Sequence, residues 1–236
     1  MRRLLKFGQI MAHSTIRKPA LDRKLDALRL NTGPALVVGS APDATLPRDF
    51  DGTWSIVTVN ASQGRLDGWG VERPTLTVLR NRIMEDEPHQ IAVWTQLRGR
   101  STDHLIMLAS SRNEVSLREG VSARGYDAGY ISLLSDEQKG AVIHQLTGLI
   151  GVSCDLDRGV SQGVFAALLA LRVGAPAVVV TGVSFSSTDH FYDKWSQRAH
   201  IDGDRQVFHR VAKRGLPIYA ADDRLAEESG LPRWQV

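Results

Sequence analysis

Cysteine is nearly absent: Cys154 is the single thiol in 236 residues. One thiol cannot close an intramolecular disulfide, and such usage fits a reducing compartment. With no activating partner in sequence, Cys154 reads as a small buried hydrophobe. Long apolar runs are missing too. None reaches the roughly 18 residues of a membrane span, and no small-residue cleavage site follows an apolar stretch near the start, which speaks against a secretory signal. The common fingerprints of phosphate-binding and hydrolytic sites are also lacking. The turn at Gly39-Ser40-Ala41-Pro42 is not G-x-G-x-x-G, and neither G-x-x-x-x-G-K-[ST] nor G-x-S-x-G occurs. No two histidines have zinc spacing. Asp202 and Asp204 could hold a hard cation, but two carboxylates opening a helix read as N-terminal charge. No metal is expected.

What is present describes a soluble globular chain. Hydrophobic residues make up 42% and charged residues 23%, enough apolar material for a core without staples. The charge is unevenly placed. Residues 1–30 hold eight basic residues against two acidic ones, a net +6, which leaves −3 on the rest of a chain whose total is +3. A body of that sign lacks the dense basic stripe that nucleic acid requires, so no nucleic-acid partner is expected. We read residues 1–34 as a basic arm and 35–236 as one domain. The arm is either a solvated, frayed terminus or an attachment to an anionic membrane surface, with Leu4, Leu5, Phe7, Ile10 and Met11 as a short apolar stripe. A cytoplasmic location, with the arm at the inner membrane face, is the expectation.

Short, continuously apolar runs alternate with helical patterns. Strands are predicted at 35–39, 54–60, 74–79, 104–109, 177–181 and 217–221. Helices are predicted at 86–98, from the capping box at Ser135 to Gly151, from Gly163 to Val173 behind a Ser161 cap, at 204–214, and at the end of the chain. Residues 110–134, with Gly120, Gly125 and Gly129, read as loop with weak strand content. The fold class is therefore α/β: a Rossmann-like, mostly parallel sheet with helices on both faces. The polar segment 186–200 reads as a small lid. In such sheets ligands bind beyond the carboxyl ends of the strands, which directs attention to Gly39, Ser40, Ala41, Asn60, Asn81 and the segment after Phe185. Asparagine offers a donor and an acceptor without charge, suited to a phosphate oxygen or a sugar hydroxyl. Each asparagine could equally be a turn residue bonded to its own backbone.

The ordered series Gly39-Ser-Ala-Pro42, Leu46-Pro-Arg-Asp-Phe-Asp51, Asn60 and Thr77-Val-Leu-Arg-Asn81 resembles the first half of the bacterial sialyltransferases of glycosyltransferase family 42. The second half is similar through Ser161-Gln-Gly-Val-Phe165, Ala170-Leu-Arg-Val-Gly174, Val180-Thr-Gly-Val-Ser-Phe185, Tyr192, Ala199-His200 and Leu216-Pro-Ile-Tyr219. The resemblance spans about residues 35–222 and is poorest at 110–150. It implies a metal-independent, inverting transferase with no cofactor beyond its CMP-sugar donor, acting on a glycan or glycolipid acceptor in surface polysaccharide biosynthesis. By the same resemblance, Ser40, Ala41, Asn60 and Asn81 would line the cytidine and phosphate site beside Gly39. The helix opened by Ser161, Gln162 and Gly163 would turn its amides to the nucleotide. Tyr192 would donate its hydroxyl to the leaving phosphate, and His200 would be the general base, with His190 and His209 as rivals.

The chain departs from the family pattern at Ala41, a glycine there, at Asp43 and Gln162, serines there, at Ser184, an aspartate there, and at Ser186, a tyrosine there. Two other readings stay open at this point. One is a Mg-dependent pterin pyrophosphokinase-like enzyme, which shares a glycine-proline turn. The other is a nucleotide-binding subunit without turnover. Assembly into a homo-oligomer is also open.

Overall fold

The computed structural model describes residues 21–80, 84–108, 114–150, 159–186, 190–193 and 200–235. Cys154, Asn81 and nearly all of the expected lid therefore lie outside the described residues, as do residues 1–20 of the arm.

The most apolar runs become the innermost strands. β1 (Ala35–Val38), β2 (Ser55–Val59) and β6 (Val178–Thr181) are buried at every position, as expected for strands covered on both faces. With β3 (Leu76–Arg80), β4 (Ser101–Leu108), β5 (Asp127–Leu134) and β7 (Ile218–Ala220) they form one seven-stranded sheet in the order β5-β4-β3-β2-β1-β6-β7. Every pairing is parallel. The chain steps outward from β1 to β5, then returns to place β6 on the other side of β1. That reversal is the switch point at which open parallel sheets bind ligands.

Helices cover both faces. Residues 21–26 (α1), α4 (Asp136–Thr147), α5 (Gln162–Arg172) and α6 (Ile201–Lys213) pack on one face, where Leu25, Val142, Phe165 and Phe208 meet Val37, Val57 and Val180. On the other face, α2 (Pro88–Leu97) and α3 (Glu114–Ala123) press Trp94, Leu97 and Leu117 onto Leu105 and Met107. A smaller cluster there joins Leu36, Ile56 and Val179 to Trp54 and Leu66. The last helix, α7 (Asp223–Ser229), follows β7.

The architecture matches the expected class, with one regional correction. Residues 114–134, read as loop, form α3 and edge strand β5. Their sequence signals are thin for a physical reason. α3 buries only Leu117 and Val121, and β5 buries only Ala128, Ile131 and Leu134, so neither carries a strong apolar period.

At the switch point the ends of β1 and β6 come into backbone contact. Gly39 N–H donates to Thr181 O and Ala41 N–H to Gly182 O, each at 2.8 Å. A Cβ on Gly39 would stand 2.3 Å from Gly182 O, and one on Gly182, whose φ is +64°, 2.7 Å from Gly39 O. Only glycines allow this approach. Gly39→Ala is expected to destabilise the protein by roughly 1–3 kcal/mol through overpacking. Gly70→Ala, at φ +66° with open space around it, should cost about 1–2 kcal/mol through torsion alone. Urea unfolding of both variants checks the pair, and an unchanged midpoint for Gly39→Ala would contradict the contact.

Candidate functional site at the carboxyl edge of the sheet

The glycine contact delivers Ser40 and Ala41 to the rim, both buried, at 8% and 3% exposure. On the neighbouring strand, β2 runs out at Val59 into Asn60, which opens a 3-10 segment, Asn60–Trp69. Asn60 is the only non-glycine among the described residues with positive φ, +49°. Asparagine tolerates that conformation better than most residues, and it turns the chain sharply at the strand end. Ser62 secures the turn, accepting from Val59 N–H at 2.9 Å and donating to Val38 O at 2.6 Å.

Over this rim lies the short turn His190–Asp193. Its end residues exchange two backbone hydrogen bonds of 3.1 Å, and Phe191 N–H donates to Ser40 O at 3.0 Å. The Ser40 hydroxyl meets His190 Nδ1 at 2.6 Å. The Phe191 ring lies beneath the Arg65 guanidinium, 4.4 Å from its centroid. The turn carries Tyr192 into the protein, its ring stacked on His190 at 5.3 Å and 10°.

The Tyr192 hydroxyl faces the side chains of Ser40 and Asn60, which favour its ionised form, yet it closes no hydrogen bond among the described residues. Burial dominates and pushes its pKa well above the ordinary phenol value. The group is thus a protonated, desolvated donor that closes no hydrogen bond among the described residues, a state that costs about 1–3 kcal/mol until something accepts from it. Ser40, Asn60 and Tyr192, three of the residues singled out in sequence, converge here.

The second group of expected residues stands on the opposite flank. Ser161 caps α5, its hydroxyl accepting from Val164 N–H at 3.3 Å, while its own N–H donates to Asp204 Oδ1 at 2.8 Å. Asp204, almost wholly buried, is therefore a structural acceptor for the chain entering α5. Gln162 buries an Oε1 with no partner among the described residues. Gly163 lets α5 approach Val183, since a Cβ there would stand 3.1 Å from Val183 Cγ2; Val183 Cγ2 is likewise 2.9 Å from a Cβ on Gly39. The α5 N-terminus and the β1 turn thus share Val183 as a neighbour. His200 is the N-cap residue of α6, and its carbonyl accepts from Asp204 N–H at 3.0 Å. It belongs to the α5–α6 face through Ile201, whereas Tyr192 packs with the α2–α3 face. His209 lies inside α6.

The family departures also have local explanations. Asp43 forms an ion pair with Arg224 of α7, so its carboxylate is not an unbalanced charge beside the turn. Ser186 faces a carboxylate supplied from elsewhere, and Ser184 packs its hydroxyl against Ser186: Glu228 of α7 accepts from Phe185 N–H at 2.7 Å and from the Ser186 hydroxyl. Burial raises the Glu228 pKa, but these bonds, with Arg224 and Arg205, outweigh it and hold the carboxyl below its ordinary value. Among the described residues no three His, Cys, Asp or Glu side chains cluster as a metal set. Sequence reading missed His89, Asp193, Arg224 and Glu228. His89 carried one available signal, its position behind Pro88 at the start of the helix that follows β3.

The sequence matches no family model and no curated protein. Solved structures share its fold. The sialyltransferase CstII from Campylobacter jejuni, in complex with the substrate analogue CMP-3FNeuAc, superposes with a TM-score of 0.52 over 85% of this chain and 86% of that one, at 10% identity. An α-2,3-sialyltransferase from Campylobacter jejuni in apo form gives 0.51 over 88% and 83%, at 12% identity. The monofunctional α-2,3-sialyltransferase Cst-I from Campylobacter jejuni gives 0.51 over 84% and 79%, at 10% identity. At such identities the likeness is one of fold, and the chain has a sialyltransferase-like fold.

The buried phenols lead to a spectroscopic expectation. Tyr126 and Tyr192 are both pushed above the usual range by burial, so both stay protonated in the folded protein at about pH 11, where a free phenol is ionised. The alkaline ultraviolet difference spectrum of the folded chain should fall short of the unfolded one by at least two tyrosines. Tyr192→Phe should reduce that shortfall by one. The sign for stability follows: the unfolded chain loses these protons first, so stability declines as pH rises above about 10.

Proposed function

We propose that the protein is a glycosyltransferase that moves an acidic, sialic-acid-like or Kdo-like sugar from a CMP donor to a glycan or glycolipid acceptor, with inversion and without a metal. The observation that carries this reading is the convergence of Ser40, Asn60 and a Tyr192 hydroxyl that closes no hydrogen bond among the described residues, at the switch point of the sheet. Uncharged donors at that place suit the phosphate of a nucleotide leaving group, and the fold shared with structures solved with CMP and a CMP-sugar analogue supports the same choice.

In this mechanism the leaving group is already a stable phosphate monoester. Hydrogen bonds from Tyr192 and Ser40 strengthen as charge develops on its oxygen. The amides at the start of α5, behind Ser161, Gln162 and Gly163, add the positive end of a helix. Ala41 leaves room for the ribose, and Asn60 and Asn81 offer amides to the nucleotide. The acceptor hydroxyl attacks the anomeric carbon and passes its proton to His200. The bond between that carbon and the phosphate oxygen breaks, and CMP departs with the electron pair. Histidine is the side chain best suited to accept a proton at neutral pH.

The basic residues of the arm support an additional part of the proposal, that the enzyme works at the inner, anionic face of a membrane where lipid-linked acceptors sit. Among the described residues no helix is long and apolar enough to cross a membrane.

The test is thermal unfolding with CMP in EDTA. At 100 times its dissociation constant CMP should add about 2.7 kcal/mol of stability. His200→Ala should keep that stabilisation and lower kcat by about 100- to 10,000-fold. No stabilisation by CMP, or stabilisation by ATP that requires Mg²⁺, would overturn the reading in favour of a kinase-like site.

A further inference from the structure

The turn His190–Asp193 brings a buried hydroxyl to a place where it has no hydrogen-bond partner among the described residues. Left to itself such a group would rotate out to water, because desolvation without a partner is unfavourable. Something must hold the turn down against that tendency. On the β1 side the ties are Phe191 N–H to Ser40 O and the Ser40 hydroxyl to His190 Nδ1. On the other side a side-chain bond ties it to α2, His89 Nδ1 to Asp193 Oδ2 at 2.7 Å. The two residues are 104 positions apart, and the Asp193 side chain is 16% exposed. Nδ1–H can donate to the carboxylate whether the imidazole is neutral or charged. The His89 ring also lies 5.8 Å from the His190 ring and 5.7 Å from the Tyr192 ring. It thus closes the aromatic stack from the α2 side. His89 sits in the first turn of α2, whose Trp94 and Leu97 are packed into the core, so the anchor point is rigid.

We propose that His89 is a positioning residue: its hydrogen bond to Asp193 fastens the turn across the strand ends and thereby seats the Tyr192 hydroxyl between Ser40 and Asn60. The inference rests on the reading above only in its consequence, that a correctly seated Tyr192 is needed for tight CMP binding. The fastening itself concerns the protein alone.

Three variants test it. His89→Ala removes the bond, His89→Asn places an amide N–H close to where Nδ1–H stood, and Asp193→Ala removes the acceptor. Circular dichroism and urea unfolding establish that each is folded. In His89→Ala the alkaline tyrosine spectrum should gain one ionising phenol relative to wild type, and that gain should vanish in the double variant with Tyr192→Phe. His89→Asn should keep the wild-type spectrum. CMP affinity, by calorimetry, should fall about 10- to 100-fold in His89→Ala, the scale of loss when a reacting group shifts by an ångström. It should recover in His89→Asn. Asp193→Ala should behave as His89→Ala does.

An unchanged tyrosine spectrum in folded His89→Ala overturns the inference, whatever CMP does. So does a His89→Asn protein that gains the phenol as the alanine variant does. If wild type binds no CMP, the functional reading falls, and the spectrum still decides the fastening.

Discussion

Everything at the carboxyl edge depends on the two strand ends that touch through Gly39 and Gly182. β1 and β6 are neighbours in the sheet but more than 130 residues apart in the chain. Their contact fixes where the β1 turn leaves the sheet, and with it the position of Ser40. The hydrogen bonds Gly39 N–H to Thr181 O and Ala41 N–H to Gly182 O extend the ladder by one step past the strands. A side chain on either glycine would wedge the strand ends apart. The Ser40 hydroxyl would then move away from His190, and Val183, which packs toward both the turn and the α5 N-terminus, would be displaced with it.

The rim built on that contact is polar and carries little formal charge where Tyr192 enters. The nearest carboxylates are each engaged: Asp193 by His89, Asp43 by Arg224, and Glu228 by Phe185 N–H and the Ser186 hydroxyl. A site arranged in this way can accept an anion without first displacing a counter-ion. It leaves hydroxyl and amide donors to do the binding, and such donors act most strongly where water is excluded.

Much of the fold was legible because the central strands advertise themselves. A run such as Ala35–Val38 or Val178–Thr181 has one physical destination, the middle of a sheet covered on both faces. The edge was harder. β5 is half exposed, and α3 buries two residues, so neither region imposes a period on its sequence. The site divides in the same way. Ser40 and Asn60 were singled out because strand ends point at ligand sites, and Tyr192 and His200 because of a family resemblance; the structure brings Ser40, Asn60 and Tyr192 together. The bond between His89 and Asp193 was not legible. It joins two polar residues from distant segments, and neither sits at a strand end. The same holds for Arg224 and Glu228, whose roles exist only once α7 has packed beside the β6 turn.

Tyr192 packs with one layer of helices, and Ile201, the residue after His200, packs with the other. Substitution with inversion requires the arriving oxygen and the departing one to lie on opposite sides of a single carbon. In the proposed transfer, a carbon held above the strand ends would have Tyr192 toward one layer and His200 toward the other. The layered build would then set the line along which bond making and bond breaking proceed.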